Sequence, residues 1–176
     1  MKINKLIISS IVREYFFITG SVGKINYKYF IDKIEEGIGL TTNLNYKTNV
    51  IGKQTDFDYF LNDKNFIKII DQIVFYLEKN NITKHSYELA DAWGLKEDYG
   101  DYTKEHHHLP YYISGVLYLN NHPQSLYFPE LQQEIKPKQG EFVLFPSYIK
   151  HYTNINTNDK SKYALAFNFK YRTILQ

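Results

Sequence analysis

Three consecutive histidines, His106, His107 and His108, and a single later one, His151, are the side chains of this sequence best suited to chemistry. Side chains i and i+2 of a β-strand point the same way. A strand over 104–109 would therefore aim His106 and His108 at one point and turn Glu105 and His107 the other way. Two imidazoles on one face can chelate a metal ion, and His151 from a neighbouring strand would complete a facial set with open coordination positions. A second register is equally compatible with spacing: Glu105 and His107 also share a face and would give, with His151, two histidines and a carboxylate. Imidazole suits zinc, iron, copper and nickel alike, so the residues by themselves name no metal. His85 and His122 are read as surface or capping residues.

Composition removes several other chemistries. The chain of 176 residues has no cysteine, which excludes disulfides, thiolate metal sites and cysteine nucleophiles. Its 21 basic and 19 acidic side chains give a formal charge of +2, too mild to suggest a nucleic-acid surface and no obstacle to an anionic small molecule. The apolar run at Leu6-Ile7-Ile8 stops at Arg13-Glu14, too short for a membrane span and without a cleavage site, so the expectation is a cytoplasmic protein. No Ser/His/Asp set stands out, and Gly37-Ile38-Gly39 lacks the continuation of a dinucleotide fingerprint. The bias toward Asn, Lys, Tyr and Ile is what an AT-rich genome, such as a viral one, produces; a viral source would place the protein in the host cytoplasm.

The elements that must position the histidines can be read from hydrophobic periodicity. Residues 5–18 read as extended. Tyr27, Phe30, Ile31 and Ile34 form the stripe of a helix over 26–37 that Gly37 and Gly39 should end. Phe66, Ile69, Ile70, Ile73, Val74 and Leu77 predict an amphipathic helix over 63–79 with Asp63 as its N-cap. After about residue 85 short strands alternate with turn signals: 86–95, 104–109, 113–119, 125–128, 141–145, 150–155 and 162–172. Helices before strands argue against a βαβ fold and for an antiparallel sandwich or barrel faced by helices. The segments 40–62 and 94–103 are the expected substrate loops. The whole reads as a single domain, with an N-terminal strand and packing helices (1–84) before a β core (85–172).

An ordered set of motifs adds to this. Gly100-Asp101-Tyr102, His106-His107-His108, Ser114-Gly115-Val116-Leu117-Tyr118, Gly140, Phe145-Pro146-Ser147, His151, Lys162 and Phe167-Asn168 occur in that order. This series resembles the small 2-oxoglutarate- and Fe(II)-dependent oxygenases of phages and bacteria, relatives of the prolyl hydroxylases, over about residues 85–170. The resemblance implies a mostly β, α+β fold with a double-stranded β-helix (jelly-roll) core covered on one face by helices. It also implies a register, because the first metal ligand of that pattern lies six residues after the glycine and eight before the serine. Both anchors select His106, making His108 the second ligand, His151 the third, and His107 outward-facing.

By the same resemblance the cofactors are Fe(II), 2-oxoglutarate and dioxygen, and the reaction is hydroxylation of a substrate that the sequence does not identify, with release of succinate and CO2. Lys162, where such proteins usually carry arginine, would hold the distal carboxylate of 2-oxoglutarate, with Tyr118 and Asn168 as further cosubstrate contacts. Most of the wider superfamily has a carboxylate where this chain has His108, so a site of three neutral imidazoles leaves the full charge of the metal uncompensated by its ligands. Two other readings of the same residues are a cupin-type three-histidine metalloenzyme that does not use 2-oxoglutarate and a non-catalytic jelly-roll binding protein.

Overall fold

The fold is given by a computed structural model of the 176-residue chain. It describes all residues except 1, 10–13, 41–47, 81–86 and 173–176, with 2–9 and 14–15 described by backbone alone. His85 lies outside the described residues.

Among the described residues there are twelve strands, two α-helices and one short 3-10 helix (Pro129–Leu131). In chain order the strands and α-helices are β1 (Lys2–Ser9), β2 (Glu14–Ser21), α1 (Tyr27–Leu40), β3 (Val50–Ile51), β4 (Lys53–Gln54), α2 (Lys64–Lys79), β5 (Tyr87–Glu97), β6 (Tyr102–Thr103), β7 (Ile113–Tyr118), β8 (Leu126–Phe128), β9 (Gln133–Ile135), β10 (Glu141–Pro146), β11 (Tyr152–Thr153) and β12 (Lys162–Tyr171). A seven-stranded sheet has the order β1-β2-β10-β7-β12-β5-β4, a three-stranded sheet the order β11-β8-β9, and β3 pairs with β6. Every pairing is antiparallel. The protein is thus mostly β with two helices. No helix among the described residues is long and apolar enough to cross a membrane.

Alternation divides the large sheet into two faces. On one, Leu165, Phe167 and Phe169 of β12 join Leu117, Phe142 and Leu144 in a cluster that also contains Phe30 and Ile34 of α1 and Phe66, Ile69, Ile70, Ile73 and Leu77 of α2. The rings of Phe66 and Phe167 meet edge to face at 5.7 Å. On the other face, Phe17, Val143 and Phe145 pack with Leu126, Phe128 and Leu131, which belong to β8 and the turn between β8 and β9. The functional cavity described below opens on this second face.

The longer helix begins where its sequence predicts. Asp63 caps it, its Oδ1 accepting from the N–H groups of Asn65 at 3.0 Å and Phe66 at 2.9 Å. Its Oδ2 accepts from the Tyr29 hydroxyl at 2.6 Å and pairs with Lys33 at 3.0 Å, so one carboxylate ties α2 to α1. Burial pushes this carboxyl up, but hydrogen bonds from Tyr29, the Phe66 N–H and Lys33 outweigh it and hold the group below its usual range. Asp63→Ala should cost about 0.5–2 kcal/mol, the usual worth of an N-cap. A carboxyl depressed in the folded state stabilises the fold above its unfolded value and loses that contribution as pH falls through the folded one. The gap between wild type and Asp63→Ala in urea denaturation should therefore shrink below about pH 4.

Three expectations need correction. The first helix does not stop at Gly37 but runs on to Leu40. Gly37 is there for space: a Cβ would lie 2.7 Å from both Thr55 Cγ2 and the Tyr59 ring. Residues 5–18 are not one extended run but parts of two strands paired as a hairpin, from Lys2↔Ser21 to Ser9↔Glu14. The segment 104–109 is not a strand. Only His106 pairs, in an isolated bridge with His151, and the chain then turns at His108, whose carbonyl accepts from the Tyr111 N–H at 3.0 Å.

Candidate metal centre and anion pocket

His106 and His151 exchange both backbone hydrogen bonds, N–H to O at 3.1 and 3.0 Å, which fixes the two residues side by side without a full strand. The His108 N–H donates to Ser147 O at 2.7 Å, so the third histidine is pinned to the turn after β10. One ring nitrogen from each of His106, His108 and His151 lies within 4.8 Å of the others, and no carboxylate belongs to this group. Ring centroids are 4.7 Å apart for His106–His108, 4.3 Å for His106–His151 and 5.1 Å for His108–His151. His107 is exposed, its Nδ1 accepting from the Leu109 N–H at 3.3 Å.

The tautomers follow from the partners. The Nδ1 of His106 faces Lys104 O at 2.8 Å, and that of His151 faces Ile149 O at 3.1 Å. A carbonyl can only accept, so each Nδ1 carries the proton and each Nε2 keeps its lone pair for a metal. Burial pushes all three imidazoles below their ordinary range: His108 to about 3, with the neighbouring His106 and His107 adding to the effect. His151 is likewise held well below by burial and then by His106 and His108. For His106 the lowering by burial is opposed by its bond to Lys104 O. Neutral imidazole at neutral pH is the ligating form.

The motif residues around the triad form a linked support. Ser114 Oγ donates to Asn168 Oδ1 at 2.7 Å, which uses its single proton, so Ser147 Oγ must be the donor in its 2.8 Å bond to Ser114. Asn168, Ser114 and Ser147 thus make a buried chain from β12 through β7 to the residue whose carbonyl holds His108. Asn168 therefore stands behind the site and does not line the cavity.

The triad sits in a cavity walled by β5, β7 and β12 on the second face of the large sheet. The small side chains of Ala164 and Ala166 leave this room, with Trp93 paired to Ala166 and its ring 5.8 Å from that of His108. Lys162 lies four residues further along β12, about 13 Å at strand rise. It lines the same cavity, whereas Lys160 is exposed and does not. Tyr118 is buried at 2 % exposure, its hydroxyl has no hydrogen-bond partner among the described residues, and burial with the nearby Glu97 and Glu141 pushes it up. A buried hydroxyl without a partner is costly unless a ligand or water supplies one.

Glu97, Thr103 and Thr153 complete this end of the cavity, and sequence reasoning did not single them out. Glu97 is the cross-strand partner of Lys162 and forms an ion pair with it. The signal lies in the alternation of β5, which puts Trp93, Leu95 and Glu97 on one face; the turn signals of the sequence instead end this strand at 95 and give 94–103 to a substrate loop. His122 is also misplaced by the sequence reading: it is buried, at 5 % exposure, where its ring bridges Lys160 O at 2.9 Å and the Gln124 N–H at 3.1 Å.

No family model matches the chain, and no curated protein is similar to it in sequence. Solved structures are similar in fold. A viral collagen prolyl hydroxylase from Paramecium Bursaria Chlorella virus-1, in complex with 2-oxoglutarate, superposes with a TM-score of 0.67 at 15 % identity, over 87 % of this chain and 94 % of that one. A prolyl-4-hydroxylase from Pseudomonas putida gives 0.64 at 13 % identity, covering 89 % and 93 %. HygX from Streptomyces hygroscopicus, with nickel, 2-oxoglutarate and hygromycin B bound, gives 0.62 at 11 % identity, covering 88 % and 82 %. At these identities the likeness is one of fold, and it extends over nearly the whole chain.

Proposed function

We propose that this protein is an Fe(II)- and 2-oxoglutarate-dependent oxygenase that hydroxylates its substrate, built on a jelly-roll core with its helices layered on one face. The carrying observation is the convergence of three neutral imidazoles, two with Nε2 held free by a bond at Nδ1, in one cavity with a buried lysine and a buried tyrosine hydroxyl lacking a partner. This donor set fits a divalent metal with open positions and a carboxylate-bearing ligand that reaches toward Lys162. The likeness to structures with 2-oxoglutarate bound supports the same reading.

In this reading His106, His108 and His151 hold the metal, Lys162 and Tyr118 hold the distal carboxylate of 2-oxoglutarate, and Asn168 supports His108 through the two serines. The chemistry supplied by bound Fe(II) is oxidation of a substrate coupled to conversion of 2-oxoglutarate and dioxygen into succinate and CO2. The chain's own contribution is placement and shelter. The bridge between His106 and His151 fixes the ligands, Ala164 and Ala166 make room beside them, and Trp93, Val116 and Phe145 keep the cavity apolar. No titrating general base is required of the protein.

The test is succinate formation from 2-oxoglutarate by protein loaded with Fe(II) in air. Turnover above a metal-free control is expected with at least one of a panel of candidate substrates. Metal binding without succinate across varied substrates would favour the three-histidine metalloenzyme that does not use 2-oxoglutarate, a reading to which the pairing of Lys162 with Glu97 gives some weight. Absence of divalent metal binding would exclude both.

A further inference from the structure

We propose that Glu97 sets the charge of the cavity so that a divalent cation and a dianionic 2-oxo acid bind as a coupled pair, each poorly tolerated without the other. The inference rests on the metal and 2-oxoglutarate site proposed above.

The Lys162 ammonium pairs with Glu97 Oε2, and the two side chains are only 4 % and 1 % exposed. Glu97 Oε1 accepts from the hydroxyls of Thr103 at 2.9 Å and Thr153 at 3.1 Å. Both carboxylate oxygens are thus satisfied by protein donors, and the group is a fixed anion needing neither water nor ligand. Among the described residues that line the cavity, Glu97 and Lys162 are the only formally charged ones. The three histidines are neutral, so the protein's net charge around the cavity is zero.

Burying an ion without a counter-charge is expensive. A divalent cation alone would place two uncompensated positive charges among three imidazoles. A dianion alone would bring two negative charges to a lysine that Glu97 has already neutralised. Together the two ligands sum to zero, and the cavity accepts them with its own pair intact. Without Glu97 the lysine would be a free cation that attracts the dianion by itself and repels the metal. Glu97 stands beside Lys162 on the adjacent strand with Tyr118 nearby, so the remaining Lys162 protons and the unpartnered Tyr118 hydroxyl are the donors left for the incoming carboxylate. A plain anchoring role is the competing account, in which Glu97 merely holds Lys162 in position.

Isothermal titration of the full chain separates the two, with Mn(II) alone, 2-oxoglutarate alone, and each in the presence of the other. Glu97→Gln should bind 2-oxoglutarate more tightly without metal and Mn(II) more weakly without 2-oxoglutarate. The factor by which each ligand improves the other should drop by roughly tenfold, within the usual range for coupled sites. Coupling is reciprocal, so both orders of addition must give the same factor. If Glu97→Gln is too unstable to handle, Lys162→Gln carries the test, its side-chain amide filling the place of the ammonium beside Glu97 Oε2; it should tighten Mn(II) alone, and Mn(II) binding no tighter than that of the wild type would overturn the proposal. Unchanged coupling in Glu97→Gln, or weaker 2-oxoglutarate binding both with and without metal, would overturn the proposal in favour of anchoring. Failure of the wild type to bind Mn(II) would overturn the metal-site reading and this inference with it, whereas normal wild-type binding with unaltered coupling in the variant overturns this inference alone.

Discussion

Alanine at His106, His108 or His151 should weaken Mn(II) binding by more than about 100-fold, beyond the 10–100-fold that loss of an outer-shell partner typically costs. Each substitution removes one of only three donors, and no carboxylate in the group can take its place. Succinate formation should disappear in step. His107→Ala should leave both unchanged, because that ring is exposed and donates nothing to the cluster. The comparison decides between two registers that spacing alone leaves open. Loss of metal in His107→Ala with retention in His108→Ala would reinstate the pairing of Glu105 and His107 with His151. The variants with lost metal should keep wild-type circular dichroism. His151 needs that control most, since its ring packs against Phe145 at 4.8 Å and Phe128 at 5.9 Å and its removal opens a hole in that cluster.

How the three histidines meet illustrates what a sequence can and cannot carry. The selection of His106, His108 and His151 came through the fixed offsets from Gly100 and Ser114, and the structure brings those three rings together. The strand geometry first invoked for them is absent. A turn begins at His108, and the i, i+2 argument reached a convergent pair through a segment that is paired at one residue only. What replaces the strand is a set of long-range backbone bonds, His106 to His151 and His108 to Ser147, that no local pattern encodes. The long helix was legible because its apolar stripe and its Asp63 cap are local features. The end of α1 was not, because Gly37 answers to Thr55 and Tyr59 across the fold and not to its own helix. Strand β9 escaped notice for a similar reason: an exposed Glu134 between half-buried Gln133 and Ile135 shows no apolar alternation and exists as a strand only through its pairing with β8.

Glu97 is the most informative of the unread residues. A glutamate at the end of a strand is ordinarily a solvated one, and lysine at the start of another is the same. Each taken alone supports a bland reading. Their meeting depends on the β5–β12 register, which puts Glu97 opposite Lys162 after a bulge at Asn168/Phe169 has shifted the pairing. Burial then turns two ordinary surface charges into a pair that must stay together.

The stability of the protein should expose that dependence directly. Lys162→Ala is expected to destabilise the fold by about 3–5 kcal/mol, the usual consequence of stranding one member of a buried ion pair. For a chain of this size that corresponds to a drop in Tm of roughly 10 °C. The two threonine hydroxyls would still donate to Glu97 Oε1, but Oε2 would lose its cation in a cavity lined largely by apolar groups. Replacing both partners removes the stranded charge as well as the attraction, so Lys162→Met with Glu97→Leu should recover most of the loss and could match the wild type, as apolar replacements of buried pairs often do. Thermal denaturation of the two single variants and the double, without metal, forms a double-mutant cycle whose coupling term isolates the pair. A Lys162→Ala protein with wild-type Tm, or a double variant as unstable as the two losses added, would mean that the pair is solvated and worth little, as exposed ion pairs are. The stability cycle and the binding measurements bear on the same two side chains by different routes. A large coupling term with unaltered ligand coupling would make Glu97 a structural partner of Lys162 and nothing more; a large term in both would show one buried contact setting the stability of the fold and the charge its cavity accepts.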